Sequence, residues 1–250
     1  MTRSLIRRWV AANRRACYEI ARRFPRLFSS PSYHEEILSR IRADLDGGLC
    51  DVLEAGGNER PMLSRGEGLR FDGLDILGNP ACIGLYDDFL VQSIESPIAK
   101  KYSQIVSMTL LEHVPDNSKS IRQIFAALVP GGRTHHYVPS KGHPYAIILR
   151  LVGPRLQKSL ISLLRSEADA SVSGFPTFFD HCSVSAMRRL FLSCGFSEVR
   201  VLPFYRANDY FAFFVPGFIL VTMFENLCRS FRWTYFASGF VISATRAADR

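Results

Sequence analysis

A chain of 250 residues, 47% hydrophobic and 22% charged, has the length of one α/β domain with additions and the balance of an ordinary globular protein. Its net charge of +8 would suit a nucleic-acid partner only if it were spread over a domain. Instead eight Arg against a single acid, Glu19, fall in residues 1–26, and the rest of the chain carries 23 basic against 22 acidic residues. Six cysteines with no CxxC pair and no metal-ligand spacing point to a reduced, cytoplasmic compartment and to no metal site.

In chain order, Leu5, Ile6, Trp9, Val10, Ala16, Cys17, Ile20, Ala21 and Phe24 recur at helical spacing among arginines, which predicts an amphipathic basic helix over 3–24. Three roles stay open for it: a cap on the domain, a helix on an anionic membrane surface, or an organellar presequence. Phe24 to His34 reads as a linker, and Glu35 to Asp46 as a second helix closed by Gly47-Gly48. Residues 1–46 thus form an N-terminal helical cap and 47–250 the main domain.

From Cys50 the pattern alternates short apolar runs with helical stretches. Strands are expected at Cys50–Ala55, Leu69–Ile76, Ala81–Leu85, Gln104–Leu110 and Arg133–Val138. Helices are expected after the first strand, weakened by Pro61, and at Ser118–Leu128 and Val184–Cys194. An insertion of about residues 140–182 rich in apolar runs forms a helical lid, and Ser197–Pro203 with Phe236–Thr245 closes the sheet as an antiparallel hairpin. Between those two strands lies an apolar insertion, about 208–231. Its core, Tyr210 to Phe224, has no charge, is bounded by Asp209 and Glu225, and has Pro216-Gly217 in its middle. At fifteen residues it is shorter than the roughly 20 that a spanning helix needs.

The chemistry gathers at DVLEAGGN, Asp51 to Asn58, and GLDI, Gly73 to Ile76. Val52 and Leu53 end a strand, Gly56-Gly57 turns the chain, and Asp75 follows Gly56 by nineteen positions at the next strand's tip. In a parallel α/β sheet those two tips meet where ribose-bearing ligands sit, and the acid accepts from the ribose hydroxyls. A dinucleotide site needs G-x-G-x-x-G, whereas the run here is Gly56-Gly57-Asn58-Glu59-Arg60-Pro61, with no second or third glycine in register. Glu54 and Glu59 beside the turn would repel a pyrophosphate yet tolerate a sulfonium-ammonium ligand.

With those features the sequence resembles the class I S-adenosylmethionine-dependent methyltransferases. SQIVSMTLLEHVPD, Ser103 to Asp116, is similar to that family's fourth strand with its Glu-His tip, and LVPGGRTHHYVP, Leu128 to Pro139, to its Pro-Gly-Gly turn into strand five. The resemblance implies a Rossmann-like, seven-stranded, mostly parallel sheet with a C-terminal antiparallel hairpin, plus N-terminal helices and a helical insertion. It implies S-adenosyl-L-methionine as cofactor, held by Glu54, Gly56, Gly57, Asp75, Ile76, Met108, Thr109 and Leu110, with Asp87 or Asp88 beyond strand three near the adenine. Glu112 and His113 are the catalytic candidates, His113 as base because an imidazole takes a proton near neutral pH. His135 and His136, adjacent on a strand, face opposite ways, so at most one reaches the site.

The implied activity is methyl transfer to a small or lipid-like acceptor. Two alternatives remain open: a silent SAM-binding interaction module, suggested by Asn58 and Arg60, and a nucleic-acid methyltransferase. The second lacks an Asn/Asp-Pro-Pro-aromatic motif at strand four, where Met108-Thr109-Leu110-Leu111 stands. Nucleic acid is therefore not the expected partner. An anionic membrane surface, with the protein cytoplasmic and peripheral, is the second partner suggested by the Arg-rich helix and Tyr210 to Phe224.

Overall fold

The computed structural model describes residues 3–82, 84–148, 151 and 176–248. They form two compact units: one of residues 1–31, 140–176 and 204–238, the other of 32–139, 177–203 and 239–250. The helix over residues 33–46 belongs to the unit that holds the sheet.

The larger unit is built on seven strands: β1 (Asp51–Ala55), β2 (Arg70–Asp75), β3 (Phe89–Val91), β4 (Tyr102–Met108), β5 (Leu128–Pro139), β6 (Phe196–Phe204) and β7 (Gly239–Arg246). Their order is β3-β2-β1-β4-β5-β7-β6. β1 runs parallel to β2 and β4, β3 parallel to β2, and β5 parallel to β4, whereas β7 is antiparallel to β5. The central strands are buried along almost their whole length, as strands covered on both faces are, and β1 and β4 hold buried polar side chains, Glu54, Ser103, Gln104 and Ser107, among their apolar ones. At the sheet's edge β6 alternates, with every second side chain turned outward.

Three helices cover this sheet: α3 (Tyr33–Asp46), α4 (Asn117–Ala127) and α5 (Val184–Ser193). Ser32 caps α3 by accepting the Glu35 amide at 3.2 Å, and Ile37, Ile41 and Asp44 form its buried stripe. Asp44 anchors that stripe through Arg133 at 2.5 Å and His135 Nε2 at 2.8 Å, while His135 Nδ1 meets Ser243 Oγ at 2.7 Å. Burial pushes the Asp44 carboxyl up, but the bonds from His135 and Arg133 outweigh it and hold the carboxyl low. A cleft of about 360 Å³ opens beside this seam, between Arg40, Arg133 and Arg200, level with the starts of the parallel strands.

Two expectations fail here. No helix follows β1: residues 56–69 are turns and bends, as Pro61 and the flanking glycines would impose. Strand three is not Ala81–Leu85 but Phe89–Val91, which pairs with Gly73–Asp75. Pro80–Cys82 makes a 3-10 turn capped by the Asn79 side chain on the Ala81 amide, and Gly84, at φ +89°, cannot continue a strand. Asp87 and Asp88 therefore precede strand three instead of following it.

The smaller unit packs α1 (Arg3–Arg23), α2 (Pro25–Phe28), a helical stretch at 144–148 and α6 (Val215–Ser230). Cys17, Ala212 and Phe218 are its buried core, with Ala21, Phe28 and Ile219 packed on them, and Asn13 Oδ1 accepts the Val215 amide at 3.2 Å. Pro216 lies in the first turn of α6, where its missing N–H costs nothing, so the apolar stretch is not broken there and the helix runs on to Ser230. Glu225, expected as the charged end of that stretch, is buried. Its carboxylate accepts from Arg206 at 2.9 Å, the Ala207 amide at 2.6 Å and His143 Nε2 at 3.2 Å. The expected lid of 140–182 lies largely outside the described residues.

Candidate functional site

Parallel register aligns the ends of β1, β2 and β3, since Ala55 pairs with Leu74 and Asp75 with Val91. β4 brings its own tip alongside, with Ala55 opposite Ser107. Gly56 has φ +79°, and a Cβ there would sit 3.3 Å from the Leu110 side chain. Glycine is thus required twice, for the backbone sign and for the approach of the Met108–Leu110 strip. Thr109 has φ +54°, a strained conformation for a β-branched residue, held by its amide on Tyr137 O at 3.1 Å. Gly56, Met108, Thr109 and Leu110, singled out separately in the sequence, thus meet at one place.

The turn's amides are already committed. Gly56 and Gly57 both donate to Leu74 O, at 2.7 and 3.1 Å, and the Asn58 amide donates to the Tyr86 hydroxyl at 3.1 Å. Without those donors, and with no helix N-terminus behind them, the loop has no cradle for a pyrophosphate. Glu54 lies beneath, accepting from the Met62 amide at 3.0 Å and facing the Tyr86 hydroxyl at 3.4 Å. Burial lifts its carboxyl to about 7 against those two bonds.

Tyr86 is the residue that sequence reasoning missed. It fills the space beside Gly57, where a Cβ would lie 3.0 Å from its hydroxyl, and ties the turn to β1. Its ring packs on Phe71 and Phe89, at 4.9 and 5.5 Å between centroids. It makes an isolated β-bridge just before β3, about thirty residues downstream of the turn, and no spacing in the sequence announces it.

Asp75 ends β2 half-buried, with Oδ1 accepting the Leu77 amide at 2.9 Å. Burial raises its carboxyl, partly offset by the Leu77 and Ile76 amides. Ile76, Leu77 and Val91, large apolar side chains at the same two tips, are exposed. Asp87 and Asp88 are placed elsewhere: Asp87 accepts from Arg65 at 2.8 Å and from the Phe71 amide at 2.8 Å, and Asp88 pairs with Lys100. The residues beyond strand three are Gln92 and Ser93, the Gln92 amide donating to Asp75 O at 2.9 Å.

Past β4, Leu111–His113 forms a 3-10 turn with Glu112 buried and His113 half-buried. Glu112 Oε1 lies 3.7 Å from His113 Nε2, and Glu112 Oε2 is buried with no hydrogen-bond partner among the described residues. Burial pushes this carboxyl to about 8, so it is protonated at neutral pH. His135 and His136 are committed: His135 in the α3 seam, His136 buried between Ser107 Oγ at 2.6 Å and Thr134 Oγ1 at 2.5 Å, its imidazole pushed down to about 3 by burial. Among the described residues no group of His, Cys, Asp and Glu is arranged to hold a metal ion.

The site thus combines a tight glycine turn, an acid at the second tip, exposed apolar residues beside it and no phosphate cradle. The class that this fold and site define is the Rossmann-like methyltransferase. The chain belongs to the methyltransferase domain family, whose model matches residues 8–200, and it is a SAM-dependent methyltransferase with S-adenosyl-L-methionine as methyl donor.

Solved structures resemble the chain at low identity. A proposed sarcosine dimethylglycine methyltransferase from Galdieria sulphuraria matches with a TM-score of 0.51 and 15% identity over 86% of this chain and 85% of that one. The N-methyltransferase NodS from Bradyrhizobium japonicum, crystallised with S-adenosyl-L-homocysteine, gives 0.48 and 14% over 90% and 91%. A phosphoethanolamine N-methyltransferase from Haemonchus contortus, with S-adenosyl-L-methionine bound, gives 0.44 and 12% over 78% of this chain, which spans 48% of that one. No curated protein matches the chain.

Proposed function

We propose that the chain transfers a methyl group to a small or lipid-like acceptor carrying an acidic hydroxyl, nitrogen or carbon, and that it meets this acceptor at an anionic membrane surface. S-adenosyl-L-methionine supplies a methyl carbon already activated by its sulfonium. What remains for the protein is to hold the reactants together, exclude water and accept a proton.

Asp75 would take the ribose hydroxyls, Gly56 would leave the backbone open to the cofactor, and Ile76, Leu77 and Val91 would cover the adenine. The observation that carries the catalytic part is the Glu112-His113 pair at the end of β4. A protonated Glu112 sets no charge against the imidazole, and His113 takes the acceptor's proton. The apolar side chains that the smaller unit leaves exposed support a lipid-like acceptor, while the near-neutral chain beyond residue 26 speaks against a nucleic acid.

The test is transfer of labelled methyl from S-adenosyl-L-methionine into a total lipid extract, a pool of polar small molecules, and RNA or DNA. Label in the organic phase is the expected result. Label confined to polar acceptors removes the lipid reading, and label in nucleic acid replaces it.

A further inference from the structure

Helix α6 carries a stripe that its amino-acid sequence does not explain by packing. Leu220, Met223, Leu227 and Phe231 recur at three- and four-residue spacing and are 66, 64, 45 and 62% exposed, with Trp233 just beyond at 45%. The opposite side of the helix, Phe218, Thr222, Glu225 and Cys228, is the buried one. An isolated exposed Leu is ordinary, whereas one whole helical face of large apolar residues ending in a stacked Phe231–Trp233 pair, 5.4 Å between centroids, is not.

The unit that carries it is strongly basic. The described part of this unit holds twelve Arg and Lys against three acids. Of those acids, Glu19 is bonded to Arg22 and Glu225 to Arg206 and His143. Arg229 and Arg232 flank the stripe's aromatic end, and α1 adds exposed Arg8, Arg15 and Arg23. α1 is part of the same body: its exposed Trp9 stacks on Phe214, which precedes α6, at 6.5 Å. Duplex or single-stranded nucleic acid would use the arginines and leave Leu220, Met223 and Leu227 in water. An anionic bilayer uses both, with the aliphatic stripe entering the acyl boundary, aromatic residues at the headgroups and Arg at the anionic surface.

We infer that the exposed α6 stripe, with Arg229 and Arg232 at its aromatic end, is the surface that docks on an anionic membrane. No helix among the described residues is long and apolar enough to cross one, so the contact is interfacial. The inference deepens the membrane part of the functional reading and rests on it, but its test needs neither cofactor nor acceptor.

The measurement is co-sedimentation of the full chain with vesicles of phosphatidylcholine alone and of phosphatidylcholine with phosphatidylglycerol, at low and high salt. Binding is expected only with phosphatidylglycerol, falling as salt rises. Leu220→Ser and Leu227→Ser are each expected to weaken it about tenfold, the scale of returning one aliphatic side chain to water. Arg229→Gln and Arg232→Gln are each expected to weaken it about fivefold. All four positions are exposed, so circular dichroism should show an intact fold. Truncation of residues 1–26 is unsuitable, because Val10 and Cys17 are buried. A parent that stays in the supernatant overturns the inference, as does binding that the Leu variants leave unchanged. A parent that light scattering shows to be a dimer, and that becomes a monomer in Leu220→Ser, also overturns it. A water-soluble acceptor found alongside intact vesicle binding would sink the lipid-acceptor reading and leave the docking face standing.

Discussion

Replacing Glu112 by Gln should flatten the dependence of stability on pH. The carboxyl titrates near 4.5 in an ordinary setting and at about 8 in the fold, where burial penalises its charge and no donor among the described residues meets Oε2. Between those values the folded chain keeps a proton that the unfolded chain has released. Stability is therefore fullest below about pH 4.5 and falls as pH rises toward about 8, by up to about 1.4 kcal/mol per pH unit. From about pH 5 to about pH 7 the loss from this one group is on the order of 2 to 3 kcal/mol. Gln keeps the shape and cannot ionise. Urea unfolding of parent and variant across that range should give two profiles that diverge, the parent losing more stability as pH rises. Glu54, also raised, to about 7, gives the parent and the variant the same further slope, so their difference isolates Glu112. Parallel profiles would refute the argument and mean that Glu112 is ionised in the folded chain.

Two further outcomes concern the site. Tyr86→Phe removes the acceptor of the Asn58 amide, loosens the turn, and should weaken S-adenosyl-L-methionine binding by about 1 kcal/mol, about fivefold, in calorimetry; unchanged affinity would make the hydroxyl irrelevant to the turn. His113→Ala should leave cofactor affinity within a few-fold and cut turnover by on the order of 10² to 10⁴, and retained turnover would reassign His113 to packing.

Where the physical signal was local, the sequence announced it. β1 and β4 are buried runs ended by Gly56-Gly57 and by the polar Glu112-His113 tip, and the closing pair β6 and β7 alternates or runs apolar as its position requires. The third strand was hidden because only three residues, Phe89 to Val91, form it, while the more apolar Ala81 to Leu85 contains a glycine at positive φ. That error carried Asp87 and Asp88 with it, and placed acids beyond a strand that they in fact precede.

Other features depend on contacts distant in the chain. Tyr86 ties down the turn by reaching back across 28 residues, and only the folded chain shows that its hydroxyl meets the Asn58 amide. Likewise α1 groups with α6 through Cys17, Ala212 and Phe218, whereas α3, its neighbour in sequence, is bound to the sheet through Asp44.

The central claim is that S-adenosyl-L-methionine is held at the tips of β1 and β2, and calorimetric titration of the parent and of Asp75→Ala tests it most directly. The account predicts binding of both S-adenosyl-L-methionine and S-adenosyl-L-homocysteine by the parent, and a loss of about 1.5 to 3 kcal/mol in Asp75→Ala, the scale of removing charged hydrogen bonds. An Asp75→Ala variant that binds as tightly as the parent, or a folded parent that binds neither ligand, would contradict it.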